Sequence, residues 1–166
     1  SAQRLDLKVG SIVVTTGWEP YDAAKIDNLG FGKYPNVITN VMMERLADDS
    51  GPTHGKIVRP SDGKEVKTIA FVQCAGSRDE NHLPYCSYIC CMASLKHAPY
   101  IRERYPEAKI NNFYIALRAP GQRYEKFYNM LKADENVFFI KGKVAEVSED
   151  PASRNVTVVA EDAVNG

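Results

Sequence analysis

The sequence carries no net charge: 21 Lys and Arg residues offset 21 Asp and Glu. A balanced chain lacks the broad basic field that non-specific nucleic-acid binding needs, so no nucleic-acid partner is expected. No apolar run approaches the roughly 18 residues of a membrane-spanning helix, which argues against direct membrane insertion. The N-terminal stretch also lacks the layout of a secretory signal. Repeats, low-complexity tracts and long blocks of one charge are missing. Cysteine is scarce: four in 166 residues are too few for a disulfide scaffold, and a chain of this length can bury a core without one. What remains, 44% hydrophobic and 25% charged residues, is the mixture of an ordinary folded domain. Clustered thiols and the absent signal together lead to the expectation of a reducing, cytoplasmic setting, with any membrane association made through partners.

The apolar pattern alternates between strand and helix periods. Ile12 to Thr16 reads as a buried strand closed by Gly17, followed by a loop with Trp18, Pro20 and Tyr21. Ile38, Val41, Met42 and Leu46 fall at helical spacing behind Thr39 or Asn40 as N-cap. Gly51 to Glu65 is rich in Gly and Pro and reads as loop with room for a short hairpin. Thr68 to Val72 is a second buried strand, and a helix is expected from about Cys86 to Tyr105, bent near Pro99. Asn112 to Leu117 reads as a third strand. Tyr124, Phe127, Tyr128 and Leu131 mark an amphipathic helix, and Val137 to Ile140 a fourth strand. Val144 to Val147 and Val156 to Val159 supply terminal β-segments. Alternating strands and helices imply one α/β domain over 1–166, a Rossmann-like parallel sheet flanked by helices. The final Asn165-Gly166 is a hairpin-turn signal with no returning strand, from which a fragment of a longer chain is expected.

The four cysteines are concentrated. Cys74, Cys86, Cys90 and Cys91 form a C-x11-C-x3-C-C pattern spanning 74–91, between the second strand and the following helix. Ligands of open α/β sheets bind at the carboxyl ends of strands, where Cys74 lies. If the helix begins at Cys86, then Cys86 and Cys90 share one face, about 6 Å apart along the axis. Several chemistries use converging thiols. An iron–sulfur cluster takes each thiolate on its own iron and so tolerates irregular spacing. Zinc needs four sulfurs about 2.3 Å from one centre and usually takes them from two short C-x2-4-C pairs. A Cys90–Cys91 disulfide would be strained, and a Cys86–Cys90 disulfide would constrain one helical turn. Packing as small apolar residues is the remaining use.

Longer stretches resemble a known family. Phe71-Val72-Gln73-Cys74-Ala75-Gly76-Ser77-Arg78-Asp79-Glu80, with Tyr85-Cys86-Ser87-Tyr88-Ile89-Cys90-Cys91-Met92, is similar to the cysteine region of the heterodisulfide reductase family of A-type subunits. Gly30 to Thr39 and Gly51 to Lys64 resemble the same family. The wording is most similar to the branch found in the quinone-interacting membrane-bound oxidoreductase. The resemblance implies a thioredoxin-reductase-like FAD/NAD(P) flavoprotein that relays electrons among FAD, iron–sulfur clusters and partner subunits. It implies Cys74, Cys86, Cys90 and Cys91 as ligands of a [4Fe-4S] cluster, and Thr15, Thr16 and Gly17 as a strand-plus-Thr-Gly element beside the flavin. No G-x-G-x-x-G follows a strand and opens a helix, so the primary FAD-binding loop is expected upstream of this segment. Gln73-Cys74-Ala75-Gly76-Ser77 stands where a nicotinamide-binding domain has its glycine loop, as a dinucleotide site given over to cysteine ligands. Arg78, Lys96 and His97 are expected to favour a reduced cluster. A small-molecule substrate is not expected of this segment. The rival expectation is a noncatalytic subunit-docking module with a structural zinc or empty thiols.

Overall fold

A computed structural model describes residues 2–163. Helix α1 (Asn40–Ala47) is started by Thr39, whose hydroxyl accepts from the Met42 N–H at 3.3 Å. Strand β1 (Thr68–Val72) leads through the cysteine loop into α2 (Cys90–Arg104), then β2 (Lys109–Tyr114), α3 (Gln122–Lys132) and β3 (Val137–Lys141). The three strands lie side by side in sequence order, all parallel, with Thr68 opposite Lys109 and Ile110 opposite Val137. This is the expected α/β class: a parallel sheet whose crossovers are helices. β4 (Val144–Glu149) and β5 (Val156–Ala160) form a separate antiparallel pair. The Gly51–Glu65 stretch contains the anticipated small hairpin, closed by a Val58–Glu65 bridge.

The core sits between sheet and helices. Cys91, Leu95, Ala98 and Ile101 of α2 recur at intervals of four, three and three, and this stripe is buried. Leu95, Ala98 and Ile101 meet Met43 of α1, Ile110 of β2, Leu131 of α3 and Val137 of β3. Cys91 therefore sits on the stripe that faces inward, and Cys90 on the neighbouring face.

Three expectations about elements change. Ile12 to Thr16 lies outside any strand or helix, with Ile12 81% and Val14 76% exposed, and is not a buried strand. An extended run becomes a strand only when a neighbour takes its N–H and C=O groups, and no described residue does so here. The third strand begins at Lys109 instead of Asn112, because the ladder is set by β1, which ends opposite Phe113. Helix α2 begins at Cys90, four residues after Cys86. Tyr88 has a φ of +64°, a left-handed conformation that interrupts a helix before it can start. The terminal Asn165-Gly166 turn lies outside the described residues.

Candidate functional site

The site is built at the carboxyl end of the parallel sheet. Beyond Val72, Gln73 prolongs the ladder by donating its N–H to the Phe113 carbonyl at 3.0 Å, and its side-chain amide donates to buried Asn112 at 2.7 Å. The chain then turns at Cys74, whose φ of +57° is left-handed. Gly76 follows with φ +79°, packed so that a Cβ would lie 2.9 Å from Ile26 Cδ1 and 3.0 Å from the Tyr21 ring. The loop is tied across itself by Leu83 N–H to Gly76 O at 2.9 Å and Arg78 N–H to Tyr85 O at 3.0 Å. Ser77 and Ser87 hydroxyls meet at 3.2 Å, which brings the two arms of the loop together below the start of α2.

All four cysteines are free thiols; Cys74 and Cys91 are buried, Cys86 and Cys90 half-buried. Because Cys86 precedes the helix, the shared helical face inferred for Cys86 and Cys90 does not exist. The loop nonetheless keeps the sulfurs within each other's electrostatic reach. Burial pushes the Cys74 thiol up, and the charges of Cys90 and Cys86 push in the same direction. Cys90 behaves oppositely. Its interaction with the neighbouring Cys91 thiol, the hydrogen bond from Ser87 Oγ at 3.6 Å, and the backbone N–H groups of Cys74 and Cys91 outweigh burial and lower it to about 5. The Cys91 thiol, buried and with its Sγ 4.0 Å from the Ala116 carbonyl, is pushed up by its interaction with Cys90 and by burial. Backbone N–H groups of Ile115 and Arg118, just past β2, also approach the sulfurs of Cys74 and Cys91. The tip of β1, the start of α2 and the segment after β2 thus all turn polar hydrogen toward sulfur.

Among the described residues no three His, Cys, Asp or Glu side chains are gathered as ligands of a single metal ion. Four soft sulfurs, with one stabilised as thiolate and backbone donors around them, match the chemistry of a multi-iron cluster, where each sulfur takes a separate iron.

The other residues singled out from sequence scatter. Lys96 and His97 leave the site and meet Glu44 of α1, at 2.7 and 2.8 Å. His97 is 1% exposed. Arg78 stays in the cysteine loop, and its charge reaches Cys74. Thr15, Thr16 and Gly17 are exposed, and nothing lies within 4 Å of where a Gly17 Cβ would stand; its φ of +74° accounts for the glycine there. These exposed residues do not by themselves enclose a flavin. Tyr128 packs edge-on against Phe139 with ring centroids 5.0 Å apart, which is a core role. Tyr124 instead lines an open cavity of about 320 Å³ with Ser87, Tyr88, Ile89, Met92 and Pro120, beside the cysteine loop. Sequence reasoning missed this cavity, since the Tyr88–Ile89 pair was hidden in the supposed helix. It also missed Ser77 and Ser87, whose hydroxyls carry no spacing signal.

No protein-family model matches the chain. Individual proteins do. It is 47% identical over 160 residues, 96% of this chain, to the second A-type iron-sulfur subunit of the CoB–CoM heterodisulfide reductase of Methanopyrus kandleri, of which it covers 24%. It is 44% identical over 165 residues, 99% of its length, to the A-type subunit of the H(2)/formate:CoB-CoM heterodisulfide,ferredoxin reductase of Methanococcus maripaludis, covering 25% of that protein. The A-type iron-sulfur subunit of the CoB–CoM heterodisulfide reductase of Methanocaldococcus jannaschii is 39% identical over 165 residues, with the same coverage of 99% and 25%. The chain spans about a quarter of the length of these relatives.

Proposed function

We propose that this chain, which belongs to the heterodisulfide reductase family of A-type subunits, is the electron-transfer segment of a flavin- and iron–sulfur-containing oxidoreductase subunit. Cys74, Cys86, Cys90 and Cys91 are the residues that would hold a [4Fe-4S] cluster. Such a cluster supplies one-electron transfer at a potential set by its burial, hydrogen bonds and nearby charge. Thr15, Thr16 and Gly17 would lie beside FAD once the rest of a thioredoxin-reductase-like flavoprotein surrounds them. The observation that carries the reading is the set of four unpaired thiols between the β1 tip and the α2 start, with Cys90 stabilised as a thiolate by donors from both.

The chain's own residues bind and insulate. The β1 turn and the start of α2 orient sulfur, with N–H groups of Cys74 and Cys91 directed at Cys90. Cys91 lies on the inward stripe of α2 and is 3% exposed, so that side of the site is buried. Ser87 and Ser77 hold the more open side, where Tyr85, Tyr88 and Ile89 are exposed. The buried face is the direction of protection and the exposed aromatic face the direction of exchange with the remainder of the protein.

Partner subunits of a redox complex fit the relatives, which are named as subunits. Among the described residues no helix is long and apolar enough to cross a membrane. We assign the segment to the cytoplasm on its clustered thiols, with membrane association, and the quinone-interacting branch of the family, reached only through partners. Anaerobic loading with iron and sulfide is expected to give a broad visible sulfur-to-iron band that Cys90→Ala abolishes. Stoichiometric zinc uptake without iron would instead establish the docking-module alternative.

A further inference from the structure

Arg78, Lys96 and His97 lie close in sequence to the thiols, and the fold separates them. Lys96 and His97 pair with Glu44 on the far helix. Arg78 remains in the loop between β1 and α2. Its guanidinium makes no hydrogen bond or ion pair among the described residues, and Nη1 is buried without a partner. The adjacent acid does not serve it: Asp79 is taken by Lys143 at 2.7 Å and by the Asn81 N–H at 3.0 Å.

This placement is costly in two ways. Arginine keeps its charge at any pH a protein meets, so the burial of Nη1 cannot be relieved by loss of a proton. Arg78 also has a left-handed backbone, φ +58°, held by its N–H to the Tyr85 carbonyl. Non-glycine residues persist there only where the surroundings over-determine them, and such residues gather at functional sites. A charged group whose Nη1 is buried without an acceptor calls for an anion. The Arg78 backbone is tied to Tyr85, next to Cys86, and the sulfur its charge reaches is that of Cys74.

We propose that Arg78 is the cationic positioning residue of the sulfur site, donating from Nη1 to the negative charge of the thiolates and their inorganic centre and thereby raising its reduction potential. The proposal rests on the four-cysteine reading of the site. Reduction adds one electron to the centre and moves no proton on the chain, so the centre becomes more negative. A fixed neighbouring cation stabilises the reduced form more than the oxidised one. The charge of Lys96, compensated by Glu44, has no such effect.

The test uses the full-length protein, loaded anaerobically with iron and sulfide and titrated with dithionite under EPR. The signal of this site is the one lost in Cys90→Ala. In Arg78→Gln the reduced-to-oxidised ratio at the wild-type midpoint is expected to fall about tenfold, a shift of about 59 mV for a one-electron couple. Arg78→Lys recovers most of that shift, and Lys96→Gln leaves the midpoint in place. If Arg78→Gln fails to hold the centre, retention in Arg78→Lys upholds the role and loss in both overturns it. An unmoved midpoint in Arg78→Gln, or an equal shift in Lys96→Gln, also overturns it while the cluster reading stands. A wild-type protein that takes up no iron overturns both.

Discussion

Cys74, Arg78 and Tyr88 all adopt left-handed backbone, at φ of +57°, +58° and +64°, within the loop that carries the cysteines. Each such residue costs on the order of 1–3 kcal/mol and must be held by its surroundings. Gly76 is part of that hold. It combines φ +79° with close approach to Ile26 and to Tyr21, whose hydroxyl meets His82 Nδ1 at 2.8 Å. Gly76→Ala therefore meets both backbone strain and a clash. It is expected to lower unfolding stability by about 1–3 kcal/mol, read from the urea midpoint, and to lower iron uptake, whereas Gly63→Ala, with open space around it, should show the backbone strain without the clash. Equal losses in both variants would show that packing of the loop against Ile26 and Tyr21 does not matter.

At the scale of elements, α2 ties the cysteine site to the core. Leu95 is fully buried in its middle, and Leu95→Ala is expected to cost about 2–5 kcal/mol in equilibrium unfolding. The contact of α2 with α1 depends on pH. Burial lowers His97 below its ordinary value of 6.5, despite the opposing pull of Glu44. The unfolded chain thus binds a proton there before the folded one does, so stability is complete above about pH 6.5 and falls as pH drops through the interval below. Burial raises Glu44, but hydrogen bonds from Lys96 and His97 outweigh it and hold the carboxyl below its ordinary 4.5. Its contribution is present above that value and lost as pH falls through the lower folded value. Urea midpoints measured from pH 7.5 to 5 should decline in the wild type and stay flatter in His97→Phe; identical slopes would contradict the account.

The same elements show what sequence makes legible. Thr68–Val72 and the Tyr124–Leu131 stripe are readable because their apolar pattern matches one period without interruption. Thr39 is readable as a cap because its hydroxyl does the capping locally. The start of β2 was missed because Lys109 and Asn111 look polar, and their place in the strand is set by pairing with Thr68 and Ala70 of β1. The start of α2 was misplaced because nothing in a tyrosine's identity announces φ +64°. The four site cysteines were visible by their spacing. Their unequal roles were not, since Cys90 owes its lowered pKa to donors from β1 and α2 together.

On the scale of the whole molecule, the exposed run from Leu5 to Val14 contrasts with the packed sheet. Leu5, Leu7, Val9, Ile12, Val13 and Val14 are all exposed, and the chain corresponds to about a quarter of its relatives' length. An exposed apolar run of this kind is suited to pairing with a further strand. In hydrogen–deuterium exchange, residues 5–14 should exchange freely in this segment and become protected in the full-length protein; unchanged rates would show that the run has no partner there. The central claim is that sulfur from β1, the loop and α2 meets on one iron–sulfur centre. Iron K-edge X-ray absorption of the anaerobically loaded chain tests it most directly. An all-sulfur shell with iron–iron scattering, lost on replacing any one of Cys74, Cys86, Cys90 or Cys91 by Ala, is the expected result. A mononuclear metal shell, or an iron spectrum indifferent to those four substitutions, would contradict it.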